Sequence, residues 1–182
     1  VDANVEAGKE NTPIRVTLPT SFKETLKIRD FGSGLTHEEV FDVYASYGES
    51  TKRHSNDYIG MLGIGCKSAF AYGDNFIINS FKDGTKSIYN AYIDTSRCGR
   101  IAKIHEEKTS EPDGIEIEVS VKGDDIYDFK EKAYEIFQHY KVTPKIINPD
   151  SDYAEEYIEG RETMLSGNGW NFNTKSSASY NP

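Results

Sequence analysis

A chain of 182 residues with 21 Lys and Arg against 30 Asp and Glu carries a formal net charge of −9. That balance argues against a general nucleic-acid grip, which needs a basic stripe to displace phosphate counterions. A hydrophobic content of 36 %, with 12 Tyr and 9 Phe, still supplies one compact core, and no run approaches the ~20 apolar residues of a membrane helix.

In chain order, Val1 to Gly8 reads as the C-terminal end of a helix stopped at Gly8, its beginning expected upstream. Pro13-Ile14-Arg15-Val16-Thr17-Leu18 and Thr25-Leu26-Lys27-Ile28-Arg29 alternate apolar and polar residues around a short turn, which predicts an antiparallel hairpin. Thr36 then caps a helix with Glu38 and Glu39 in its first turn and Val40, Val43 and Tyr44 on one face. Residues 45–56 are polar and lack an apolar period, as in a long functional loop. A glycine loop at 60–65 opens a short helix, and four strands follow at 75–81, 87–94, 101–105 and 114–121. Asp83-Gly84 is a hairpin turn. Asp124 or Asp125 caps a helix whose stripe is Ile126, Phe129, Ala133, Phe137 and Tyr140. Lys145-Ile146-Ile147 is a last short strand, and residues 149–182 read as a polar linker or the start of a following domain. Segregated helices and a mainly antiparallel sheet over 1–148 predict an α+β fold, a two-layer sandwich with the helices on one face.

Two motifs carry chemistry. At a strand exit, Asp30-Phe31-Gly32-Ser33-Gly34 offers a carboxylate to an exocyclic amine, and its glycines let the backbone approach a flat ring. By itself the pattern is more often that of an ordinary turn. Gly60-Met61-Leu62-Gly63-Ile64-Gly65-Cys66-Lys67-Ser68 frees backbone N–H groups to face an anion at a helix start. Its spacing fits neither a P-loop nor a dinucleotide fingerprint.

In this order the pair resembles the gyrase, heat-shock chaperone, histidine kinase and MutL-type (GHKL) ATPases. Ser50-Thr51-Lys52 resembles the MutL lid, and Val1-Asp2-Ala3 the tail of the family's N-box helix. The resemblance implies a Bergerat-type ATP-binding fold. It also implies that Asp30 bonds the adenine amine, directly and through water, and that Gly32 and Gly34 line the base. Gly60, Gly63 and Gly65 would wrap the phosphates, with Lys67, Ser68 and Lys52 beside them and Asp2 flanking the site. The cofactors implied are ATP and Mg2+. The family's magnesium-binding Asn would lie two residues before Val1 and its general-base Glu four residues earlier, so negligible hydrolysis is expected of residues 1–182 alone. Where the family often carries a Thr after a late-strand glycine, Ile115 follows Gly114.

Arg29-Asp30-Phe31-Gly32-Ser33-Gly34, Ser55-Asn56-Asp57-Tyr58-Ile59-Gly60, Gly65-Cys66-Lys67-Ser68-Ala69-Phe70-Ala71-Tyr72 and Asp113-Gly114-Ile115-Glu116-Ile117-Glu118-Val119 further resemble the phage rapid-lysis rIIA family. That resemblance implies an ATP-driven lid that controls partner docking, in the host cytoplasm or loosely at its inner membrane. The partner would be a second phage protein or a second copy, and the output lysis timing or prophage exclusion. The alternative is a non-catalytic scaffold that keeps the fold.

Other residues take plainer readings. His37, His54, His105 and His139 share no ligand spacing, which predicts no metal site. Cys66 and Cys98 form neither a ligand pair nor a disulfide framework and fit a reducing compartment. Cys66 is read as packing rather than reactive, and Trp170 either docks on an apolar patch or belongs to an unordered tail.

Overall fold

The computed structural model describes residues 1–45, 65–137, 140–148, 164–167 and 170–173. Along the chain run α1 (Asp2–Glu6), β1 (Arg15–Thr17), β2 (Thr25–Arg29), α2 (His37–Ala45), a 3₁₀ segment (Gly65–Ala71), β3 (Asn75–Lys82), β4 (Thr85–Ile93), β5 (Gly99–Lys108) and β6 (Gly114–Ser120). A 3₁₀ turn (Gly123–Asp125), α3 (Ile126–Phe137), β7 (Lys145–Ile147), β8 (Met164–Gly167) and β9 (Trp170–Asn173) complete it.

Seven strands form one sheet in the order β5-β4-β3-β6-β2-β1-β7. Neighbours pair antiparallel except β1 with β7, whose parallel pairing closes one edge. The two-layer α+β fold expected from the pattern is therefore what forms, because strand alternation sends the apolar residues to one side. On that side α2 and the first 3₁₀ segment bury Val40, Phe70 and Tyr44 against Phe76, Ile78, Tyr89, Ala91 and Val119. Nearer the other edge, Ala133 and Phe137 of α3 pack on Ile14, Val16 and Leu18. The opposite side is polar. There Lys27 Nζ stands 2.7 Å from Glu118 and 3.7 Å from Glu116, and Asn79 Nδ2 donates to Glu118 at 2.6 Å.

Local chemistry explains the element ends. Thr36 and Glu39 make a reciprocal capping box at the start of α2: Glu39 N–H donates to Thr36 Oγ1 at 3.3 Å, and Thr36 N–H to Glu39 Oε2 at 2.7 Å. Asp83 and Gly84 both take positive φ, 49° and 72°, as a tight two-residue hairpin turn requires. Gly8, at φ 67°, stops α1 as expected.

Two details depart from the sequence reading, and a third adds to it. The helix after the glycine loop is a 3₁₀ segment, packed through Phe70 edge-on to Phe76 at 4.8 Å. Asp124 and Asp125 lie within a 3₁₀ turn rather than at a simple cap, and Asp125 accepts the Tyr72 hydroxyl at 2.5 Å. Beyond β7 the polar tail contains a further hairpin, β8 with β9, which places Trp170 in a strand opposite Gly167.

The backbone N–H of Thr36 holds the Glu39 carboxyl below the usual carboxylate range. A depressed folded-state value stabilises above the unfolded pKa of ~4.3 and is lost as pH falls through the folded value. Glu39→Gln should therefore cost about 0.5 kcal/mol near neutral pH, a small figure because the pair is exposed. Urea unfolding should show that difference vanish in acid.

Candidate functional site

Asp30 follows β2 directly, and its N–H continues the ladder by donating to Ile115 O at 2.9 Å. Its carboxylate is then fixed by backbone alone. Oδ1 accepts the N–H of Gly32 at 3.0 Å and that of Ile115 at 2.9 Å. Oδ2 makes no hydrogen bond among the described residues. The Ile115 N–H thus reaches Asp30 from the position where the family often carries a Thr, and it does so without any side chain.

Strand alternation puts Asp30 on the same side of the sheet as Ile28. Ile28 sits between Val16 and Ile117 in register, on the side that carries the helices. Val16 is fully buried, yet Ile28 is 37 % exposed. The α3 cluster covers one neighbour and the α2 cluster the other, which leaves an apolar floor open beside a carboxylate. An apolar floor with one placed polar group is how a flat heterocycle is held.

The loop itself is tied on every side. Asn4, 2 % exposed on α1, accepts the Phe31 N–H at 2.8 Å and donates Nδ2 to Thr12 O at 2.8 Å. Lys9 Nζ donates to Phe31 O at 2.9 Å and Lys82 Nζ to Ser33 O at 3.0 Å. Ser80 Oγ accepts the Leu35 N–H at 3.0 Å and donates to Leu35 O at 2.7 Å. Gly32 lies so close to α1 that an added Cβ would fall 2.7 Å from the Ala3 Cβ. Asp2 opens α1 one residue before that contact.

The structure therefore brings Asp30, Gly32, Gly34 and the α1 residue Asp2 to one place. Gly65, Lys67 and Ser68 fall in the 3₁₀ segment, where Ser68 is exposed. Lys52, Gly60 and Gly63, with the rest of the expected lid, lie outside the described residues. Sequence reasoning missed Asn4 and Ile28. A buried amide in a short helix, and an apolar residue two places before the carboxylate on the same strand face, were the signals. Among the described residues no three His, Cys, Asp or Glu side chains could hold a metal ion.

Behind the site, Arg29 is 1 % exposed, and burial pushes its guanidinium below the usual arginine range while Asp30, Glu116 and Glu111 hold it up.

Gly34 and Gly8 share φ 67°, but their surroundings differ. A Cβ at Gly34 would sit 2.0 Å from Phe81 O, whereas one at Gly8 meets nothing within 4 Å. Gly8→Ala should cost ~1–2 kcal/mol for the left-handed backbone alone. Gly34→Ala should cost a further ~1–3 kcal/mol or more, since a backbone oxygen must move. Denaturant unfolding of the two variants checks the order; equal losses would contradict it.

Residues 1–126 match the family described as histidine kinase-, DNA gyrase B-, and HSP90-like ATPase. Among solved structures, the ATPase region of Saccharomyces cerevisiae topoisomerase II is similar to this chain with a TM-score of 0.56 at 14 % identity. The similarity covers 90 % of this chain and 52 % of that one, so the chain spans about half the topoisomerase region's length. No curated protein matches the sequence. The family match covers more than half of the chain, and the protein belongs to the histidine kinase-, DNA gyrase B- and HSP90-like ATPase family.

Proposed function

We propose that this chain is an ATP-binding module in which Asp30 reads the adenine amine. The observation that carries the reading is the division of labour on one carboxylate: Oδ1 is taken by two backbone N–H groups and Oδ2 is left to a ligand. An acceptor-only oxygen suits a donor, and the exocyclic amine of adenine is one. The exposed Ile28 beside it supplies an apolar surface for the base. Membership of the ATPase family agrees with both.

Phosphate binding by Gly60, Gly63, Gly65, Lys67, Ser68 and Lys52, with magnesium bound by a residue before Val1, completes the proposal on the family resemblance. Closure of residues 45–65 over the nucleotide, coupled to docking of a partner, belongs to the same reading. So does a role in phage lysis timing, which rests on the sequence strings alone. Hydrogen exchange of residues 46–58 with and without an ATP analogue and magnesium tests the closure: protection that rises with nucleotide supports it, and unchanged exchange refutes it.

Asp30→Asn tests the adenine contact. The amide oxygen can still accept from Gly32 and Ile115, which fixes Nδ2, a donor, where the adenine amine arrives. Loss of a charged hydrogen-bond acceptor is worth ~1.5–3 kcal/mol, so ATP affinity should fall roughly 10- to 100-fold. Pyrophosphate affinity, measured by the same calorimetric titration, should not change. Equal losses for both ligands would make Asp30 a structural residue only.

A further inference from the structure

Arg29 ends β2 and faces away from the helices, toward the polar side of the sheet, yet it is 1 % exposed. Its guanidinium lies 3.7 Å from the centre of the Phe81 ring and 5.3 Å from that of Phe31. Nη2 donates to Pro112 O at 2.5 Å. Nη1 has no hydrogen-bond partner among the described residues. A buried cation with an unpaired donor is a poor device for stability, since an apolar side chain could fill the space between two phenylalanines without that cost. The arrangement asks for another explanation.

Each group that Arg29 touches also borders the Asp30 loop. Phe31 belongs to the loop. Phe81 O is the atom nearest to a Cβ placed on Gly34. Pro112 precedes Gly114, where an added Cβ would meet Asp30 O at 2.4 Å and both Arg29 Nη1 and Asp30 Oδ1 at 2.9 Å. Gly114 in turn delivers Ile115, whose N–H fixes Asp30 Oδ1. We propose that Arg29 is a positioning residue for base recognition: by pinning the β5–β6 connection at Pro112, it holds the Ile115 N–H against Asp30 and so keeps Oδ2 turned outward.

The physical logic is short. The terminal torsion of an aspartate is broad, so nothing intrinsic to Asp30 decides which oxygen faces the ligand. Backbone donors decide it, and one of the two rides on a turn anchored by the planar guanidinium fork. A lysine could keep the charge but not the stack on Phe81 together with a directed bond to Pro112.

This inference rests on the adenine-binding reading, so its test includes a measurement that needs no nucleotide. In Arg29→Met and Arg29→Lys, ATP and pyrophosphate affinities are measured by calorimetry below each variant's unfolding temperature. In parallel, the amide proton shift of Ile115, which reports its hydrogen bond to Asp30, is measured by NMR without ligand. ATP affinity should fall about tenfold in Arg29→Met and less in Arg29→Lys, with pyrophosphate affinity unchanged, as for a misplaced charged acceptor. The Ile115 amide should move upfield as its bond to Asp30 lengthens. If Arg29→Met does not fold, Arg29→Lys decides on the same two readouts. A folded variant whose Ile115 amide behaves as in the parent, or which loses both ligands equally, overturns the positioning role. If the parent binds neither ligand, the adenine reading fails, and the Ile115 amide still decides the role of Arg29.

Discussion

The Asp30 carboxylate is fixed through one oxygen, by the N–H groups of Gly32 and Ile115 at 3.0 and 2.9 Å. Both donors are backbone, and both approach closely because glycines stand where side chains would collide. Gly114, at φ 141°, could not carry a Cβ without meeting Asp30 itself. Gly32 could not carry one without meeting Ala3 of α1. The glycines are therefore requirements of close packing around a charged group, and the site's orientation follows from that packing. A preorganised acceptor loses little freedom when a ligand arrives.

The sheet makes this packing possible. β2 runs between β1 and β6, so the end of β2 meets the start of β6 in register, Arg29 opposite Glu116. Alternation then sorts three consecutive residues by task. Ile28 and Asp30 face the helix side, where two core clusters leave a gap, and Arg29 turns to the other side and packs against Phe31 and Phe81. Asn4 joins α1 to the same loop through the Phe31 N–H. Its loss would orphan that donor and the Thr12 carbonyl, part-buried groups worth up to ~1–3 kcal/mol each when unpaired.

Much of this is legible in the sequence, and the reasons differ by residue. The hairpin of β1 and β2, the helix cap at Thr36 and the turn at Asp83 and Gly84 are local, and local chemistry suffices to read them. Asp30, Gly32 and Gly34 are legible only in company with the glycine loop that follows at 60–65, since an Asp followed by Gly at a strand exit is by itself an ordinary turn. Ile115 as the donor to Asp30 is 85 residues away in sequence, and its contribution is a backbone N–H that no side chain advertises. Ile28 looked like any apolar strand residue, because only the placement of two helices leaves it uncovered. The parallel pairing of β7 with β1, and the hairpin of β8 with β9, likewise depend on partners that periodicity does not name.

The central claim is that a fixed acceptor, Asp30 Oδ2, faces the base. ATP and inosine triphosphate differ at that point: the first presents an amine, the second a carbonyl oxygen. Their phosphates and sugar are the same. Competition between them for the unmodified protein isolates the contact without any mutation. The account expects ATP to bind at least ~10-fold more tightly, since a carbonyl facing a carboxylate forfeits the bond and adds repulsion. Equal affinity for the two would contradict it.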